Sequence, residues 1–173
     1  MNASHIILLE FVSKALIGMS ISIFRKNPSN PDSFEPVYWN GIYTGIKYQC
    51  VELARRYYLA RFGTLFDDVV NARDIFSLHT LKDLMSGRII FWQSYINIST
   101  SLPPMPGSLL VWMTGDNFQR SGHVAVVVSV TKNYVYIIEQ NYGQGKRKLP
   151  YRNGVIVSPG LIGWKMPPYM HVI

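Results

Sequence analysis

Three residue types at suggestive positions carry most of the chemistry available to this chain. Cys50 is the only cysteine among 173 residues. It lies in "KYQCVELARRYYLARFG", residues 47–63, where a tight connection gives way to a helix-patterned segment. The first N–H groups of a helix are unpaired and carry partial positive charge, which favours a thiolate and can bind a developing oxyanion. From position alone, the residue is equally a small buried filler. A thiol nucleophile needs a base, and the base needs a partner that holds it. His123 opens the strand-like "GHVAVVVSV", and Glu139 ends the apolar run of "YVYIIEQN", sixteen residues later (139 − 123). A hairpin turning at Lys132–Asn133, near the midpoint, brings these ends within one or two cross-strand neighbours. His5 and His171 lie in the terminal segments, and His79 falls inside a predicted helix. A histidine-based metal site needs about three suitably spaced ligands, and no such spacing occurs, so neither metal nor cofactor is expected.

These residues need elements to position them. Residues 1–24 form an apolar segment interrupted by Glu10 and Lys14, short of the ~20 apolar residues of a membrane span. It reads as an amphipathic helix packed on the domain. A signal peptide and an interfacial helix that touches a membrane through residues 1–20 are the alternatives. Residues 25–49 read as a loop rich in turn formers. Val51, Ala54, Tyr57 and Tyr58 recur at helical spacing over 50–62, and Gly63 is the stop signal. A second helix is predicted over 71–85, ending near Gly87, which makes 50–87 a helical half. "PPMPG" at 103–107 punctuates the chain. "SLLVWM", "GHVAVVVSVT" and "YVYIIEQN" then read as strands, with "GVIVS" and "IGWKM" shorter ones, so 105–166 is a β-sheet half. Helices followed by an antiparallel sheet give an α+β fold, with one domain over 1–173. The run Lys146–Arg147–Lys148 reads as a solvated loop. Trp112, Trp164, Tyr57 and Tyr58 read as core or cleft-wall aromatics.

Composition narrows the classes. At 48% hydrophobic and 16% charged residues the chain is globular rather than disordered. A single cysteine excludes an intramolecular disulfide and a zinc site of several thiolates. The net charge of +7 and pI of about 9.6 favour anionic surfaces, but no nucleic-acid motif is present and nucleic acid is not an expected partner. A reducing compartment is permitted and the cytoplasm is the favoured location.

Taken in order, the segments resemble a known family. A cysteine at a helix start, then "PGSLLVW", "GHVAVV" and "EQN", in that order, is similar to the CHAP amidase domain, a papain-like cysteine hydrolase. "YQCVELARRY", "DIFSLHTL", "GDNFQRSGHVAVV", "IIEQN" and "LIGWKM" resemble more narrowly the amidase domains of glutathionylspermidine synthetase/amidase and trypanothione synthetase, over residues 15 to 166. The resemblance implies a papain-like fold, with N-terminal helices packed on an antiparallel sheet. It implies Cys50 as nucleophile, His123 as general base and acid, and Glu139 as the residue that orients His123. Gln49 and Asn141 match polar positions near the oxyanion hole. Arg55 and Glu52 match the helix face that reaches substrate, although Glu52 is equally a first-turn carboxylate stabilising its helix. The implied reaction is hydrolysis of a small-molecule glutathione–polyamine amide through an acyl-enzyme, with no synthetase activity. A polycationic amine is repelled at long range by a charge of +7, and Glu52, Asp67, Asp68 or Asp116 could reverse that locally. The alternatives are a CHAP peptidoglycan amidase and a catalytically silent binding protein on the same fold.

Overall fold

The computed structural model describes residues 34–113, 120–143 and 145–168. The expected helix over 1–24, the loop before residue 34, His5, His171 and Asp116 all lie outside the described residues.

The expected loop over 25–49 is corrected where it is described: the period of two in the segment after residue 35 pairs it into a two-stranded ribbon, β1 (Pro36–Trp39) and β2 (Ile42–Ile46), joined by a turn at Asn40–Gly41. The helix α1 (Cys50–Phe62) follows, and Gly63 ends it in the left-handed conformation with its N–H on Leu59 O. A small sheet of β3 (Thr64–Leu65), β4 (Thr80–Asp83) and β5 (Ile89–Phe91) encloses a 3₁₀ helix at Ala72–Ser77. The main sheet is antiparallel and seven-stranded, in the order β11-β10-β9-β8-β7-β12-β6. Its strands are β6 (Ser94–Ile96), β7 (Leu109–Trp112), β8 (His123–Val130), β9 (Tyr134–Ile138), β10 (Lys146–Arg152), β11 (Val155–Ile156) and β12 (Leu161–Lys165).

Both faces of the central strands are buried, which is why β7 and β8 read as unbroken apolar runs rather than alternating ones. Leu109, Val111, Val124 and Val126 pack towards Ala54, Tyr58, Phe66 and Trp92. Leu110, Trp112, Ala125 and Val127 pack on the other face with Val135, Ile137, Leu149 and Trp164. Lys165 is fully buried and fastens the end of the 3₁₀ segment to the sheet. Its ammonium donates to Leu78 O, to Trp92 O at 3.0 Å and to Ser94 Oγ at 2.8 Å, and burial pushes its pKa down to about 8.

The predicted helix over 71–85 is corrected. Helical structure stops at Ser77, because Thr80–Asp83 pairs with Thr64–Leu65 on one side and Ile89–Phe91 on the other. Within β4, Leu81 is buried while Thr80 and Lys82 are exposed, a period of two that the apolar positions 75, 78 and 81 obscured. The Asp83 carboxylate then accepts from Met85 N and Ser86 N and closes the turn back to β5. Residues 50–87 are therefore not a helical half. Among the described residues α1 is the one α-helix, so N-terminal helices packed on the sheet are not what these residues form. Strands β7 to β9, β11 and β12 fall on the segments read as strands, and β6 and β10 join them in the sheet. The run at 146–148 is a correction too: it begins β10 and is not a loop.

Candidate active site

The start of α1 is held under strain. Tyr48, two residues before Cys50, has φ +71, a left-handed conformation that costs a bulky residue about 1–2 kcal/mol. Gln49 is extended and occupies the N-cap without a side-chain cap bond, so its side chain is left to face elsewhere. Gly45 of β2 lies against this first turn. A Cβ there would stand 3.0 Å from the Glu52 Cα and Cβ, so only glycine allows that approach. Cys50 is thereby the first residue of the helix, 8% exposed, at the wall of a cleft of about 690 Å³.

His123 and Glu139 meet across β8 and β9. His123 Nε2 lies 2.9 Å from Glu139 Oε2, and both side chains are buried. A register irregularity makes this possible. Nearest the turn, Val130 faces Val135 and Ser129 faces Tyr136; beyond it, Val127 faces Ile137 and Val126 faces Ile138. Val128 is the extra residue between them. Without this bulge the first register would continue and put Glu139 opposite Val126, on the face away from His123. With it, Glu139 falls opposite Ala125 and shares the His123 face. Gly122 allows the strand to start there. Its φ is +70, and an added Cβ would stand 2.4 Å from Trp112 O.

With Nε2 engaged by Glu139, Nδ1 is the ring nitrogen left for the Cys50 sulfur. Burial alone would push the Cys50 thiol up. The charge and hydrogen bond of His123 outweigh it, together with the N–H groups of Val124 and Val51, and hold the thiol below its usual value of 9.0. Burial likewise pushes His123 down, but the Cys50 thiolate and the Glu139 carboxylate raise it to about 9. The two directions agree: between the two titrations the pair is a thiolate and an imidazolium. Trp112 and Tyr142 flank the ring, each with its centroid 5.6 Å away.

The remaining candidates read from the sequence divide. Asn141, left-handed at φ +68, donates from Nδ2 to Gln49 Oε1 at 3.0 Å. That bond occupies the Gln49 amide oxygen, and both residues line the cleft beside Cys50. Arg55 and Glu52 are directed elsewhere. Arg55 Nε donates to Thr44 O at 3.0 Å, Nη2 to Tyr43 O at 3.3 Å and Nη1 to Phe66 O, and burial, opposed by Asp68, lowers its pKa. Glu52 is fully buried and accepts from Arg56 Nε at 2.6 Å, Arg56 Nη2 at 3.2 Å, Thr44 Oγ1 at 3.1 Å and Gln140 Nε2 at 3.0 Å. Both side chains tie the helix start to its surroundings, and neither has a group free for a ligand in this arrangement. Of the acids considered for the cleft, Asp68 lines it half-exposed and Glu52 lines it with its carboxylate buried and bonded, while Asp67 does not line it.

Sequence reasoning passes over Gln140 and Arg147. Gln140 Nε2 also donates to Gln49 O at 3.0 Å, so Glu139, Gln140 and Asn141 each reach across to the helix start or its base. Among the described residues no group of three or more His, Cys, Asp or Glu converges as metal ligands would, and no helix is long and apolar enough to cross a membrane.

The chain is similar to several known proteins. The CHAP domain pattern matches residues 39–141. The bifunctional glutathionylspermidine synthetase/amidase of Escherichia coli (strain K12) is 40% identical over 104 residues, covering 60% of this chain and 17% of that protein. Trypanothione synthetase of Crithidia fasciculata is 34% identical over 124 residues, 67% of this chain and 19% of that protein. The chain thus spans under a fifth of the length of these curated relatives. Among solved structures, Ly7917 with the hydrolyzing product of MDP superposes with a TM-score of 0.50 at 18% identity, covering 91% of this chain and 62% of that one. This likeness speaks to the fold alone. By its motif order, its fold and the family match, the chain belongs to the CHAP domain family.

Proposed function

We propose that this chain is a cysteine-dependent amidohydrolase, with glutathionylspermidine-type conjugates as its substrates. The observation that carries the proposal is the buried His123–Glu139 pair coupled to Cys50 at the wall of an open cleft.

The Cys50 thiolate attacks the amide carbonyl and forms a C–S bond. The oxyanion develops beside the Cys50 N–H and the Gln49 amide. The His123 imidazolium gives its proton to the leaving nitrogen, the C–N bond breaks, and a thioester remains. Neutral His123 then takes a proton from water as it adds to the thioester. Collapse releases the acid and restores the thiolate. Glu139 fixes the ring throughout and stabilises its charged form. Each step needs only groups on the chain and water.

The substrate class is supported by the amidase named in the relatives and by the cleft walls. Among the described residues no lysine or arginine lines the cleft, and Asp68 offers a carboxylate to a cationic leaving amine. The cleft therefore differs in sign from a surface of net charge +7. Incubation with glutathionylspermidine is expected to release glutathione and spermidine, with Asp68→Asn raising KM more than it changes kcat. No release by protein whose Cys50 remains alkylatable rejects this substrate. The net charge favours a second reading, an anionic cell-wall amide. Lysis of purified walls by the same preparation, lost in Cys50→Ala, would put that reading first.

The pH dependence follows from the two shifts. Lowering pH through the depressed thiol titration protonates the sulfur and ends attack. Raising pH through about 9 removes the imidazolium proton needed by the leaving amine. A bell-shaped kcat/KM profile is expected, its acid limb below the ordinary thiol value and its alkaline limb near 9. A profile still rising above about pH 10 would contradict the ion pair.

A further inference from the structure

The cationic run 146–148 is not a uniform surface feature. On β10, Lys146 and Lys148 are exposed, whereas Arg147 faces Ile137 and lies on the same sheet face as Glu139 and His123. Glu139 N bonds to Gly145 O, so Arg147 stands one diagonal from Glu139 on β10. His123 stands on the opposite diagonal, on β8. The guanidinium reaches the carboxylate twice: Nη2 donates to Oε2 at 3.0 Å, and Nε lies 2.9 Å from Oε1. Its planar carbon sits 4.8 Å from the Tyr142 ring centroid and 5.6 Å from that of Trp112, the same two rings that flank His123.

We propose that Arg147 is a positioning residue of the catalytic site, reaching Glu139 from β10 while His123 reaches it from β8, donating to the same Oε2 that His123 engages and balancing the charge of the buried cluster. The inference rests on the nucleophile reading above. A carboxylate that is 1% exposed cannot take its remaining hydrogen bonds from bulk water, so they must come from the protein. Arg147 supplies one from Nη2 and sets Nε against the other oxygen as an ion-pair contact, and a planar fork held against two aromatic rings does this in one orientation, which a lysine cannot do. Among the described residues, the charged groups that face the site are Cys50 from α1, His123 from β8, Arg147 from β10 and Asp68, half-exposed on the wall of the same cleft; across Gln140 lies Glu52, already paired with Arg56. With the thiolate and imidazolium formed, Cys50, His123, Glu139 and Arg147 sum to zero. Each further deprotonation makes the cluster more negative, so removing the Arg147 cation makes every deprotonation harder.

The test is the rate of Cys50 alkylation by iodoacetamide against pH, which needs no substrate. In the wild type the rate rises in two steps, first as the thiolate–imidazolium pair forms and again as the imidazolium proton leaves. Arg147→Gln is expected to move both midpoints up by roughly half to one pH unit, and Arg147→Lys to return them most of the way. Arg147→Met, which keeps the stem between the rings, repeats the measurement if the glutamine variant does not fold. A merely structural arginine would change thermal stability and leave the midpoints in place. Unmoved midpoints in a folded variant overturn this role alone. A wild-type thiol with a single ordinary midpoint overturns the nucleophile reading, and this one with it.

Discussion

Cys50→Ala is expected to lower amide hydrolysis on the order of 10⁴-fold or more while the protein stays folded. The sulfur is the nucleophile of the proposed acyl transfer, and no other cysteine exists to replace it. Alanine fills most of the same space at a position that is already buried, so the packing around Val124 and α1 loses little. The substitution also removes the anion that holds His123 up. Its imidazole should then titrate well below 9, which NMR of the ring can read directly. The sign matters: among the influences that favour the imidazolium, the Cys50 thiolate is the largest, ahead of Glu139. Cys50→Ser keeps a nucleophile in place, but its far less acidic hydroxyl is a poor partner for the ion pair, and activity should fall nearly as far. Hydrolysis by Cys50→Ala within about tenfold of wild type would remove the covalent mechanism altogether.

The candidate set is legible in the sequence because it rests on local signals. A cysteine ahead of a helical period, and a histidine and a glutamate at opposite ends of one hairpin, can all be read within short windows. The hairpin predicts that the two side chains meet and is silent about how. The interval of sixteen residues (139 − 123), with the turn at Thr131–Tyr134, would put them on opposite faces of a regular ladder, and only the extra residue at Val128 corrects the parity. Sequence does not show a bulge in a run such as "VAVVVSV", where every residue suits a strand. Arg147 escapes notice for a related reason. Three adjacent cations look like a solvated loop until β10 is paired, and then alternation turns the middle one inward. The helix over 71–85 fails where short-range periodicity competes with pairing to distant segments. Leu81 satisfies either period, and the contacts from Thr64 and Ile90 that decide it lie outside the window.

Glu52→Ala is expected to cost about 3–5 kcal/mol of stability and to lower Tm by several degrees or more, before any effect on substrate is measured. The sequence alone allows a substrate contact or a first-turn carboxylate here. The surroundings make the residue a junction. Truncation leaves Arg56, 1% exposed, as a buried cation without this carboxylate, and also frees Thr44 Oγ1 and Gln140 Nε2 from the bonds they give to it. The cost is that of a buried charge deprived of its carboxylate, which exceeds the net worth of the pair itself. A double replacement distinguishes the two quantities. Glu52→Met with Arg56→Met removes both charges and fills the space, and it should recover most of the loss. The site would still suffer, since Gln140 bridges Glu52 to the Gln49 carbonyl and so ties the helix start to the segment that carries Glu139. Loosening that bridge lets Cys50 and His123 move apart, so kcat should fall in the double variant with KM little changed. A substrate-binding glutamate gives the reverse pattern: Glu52→Ala with wild-type Tm and a raised KM.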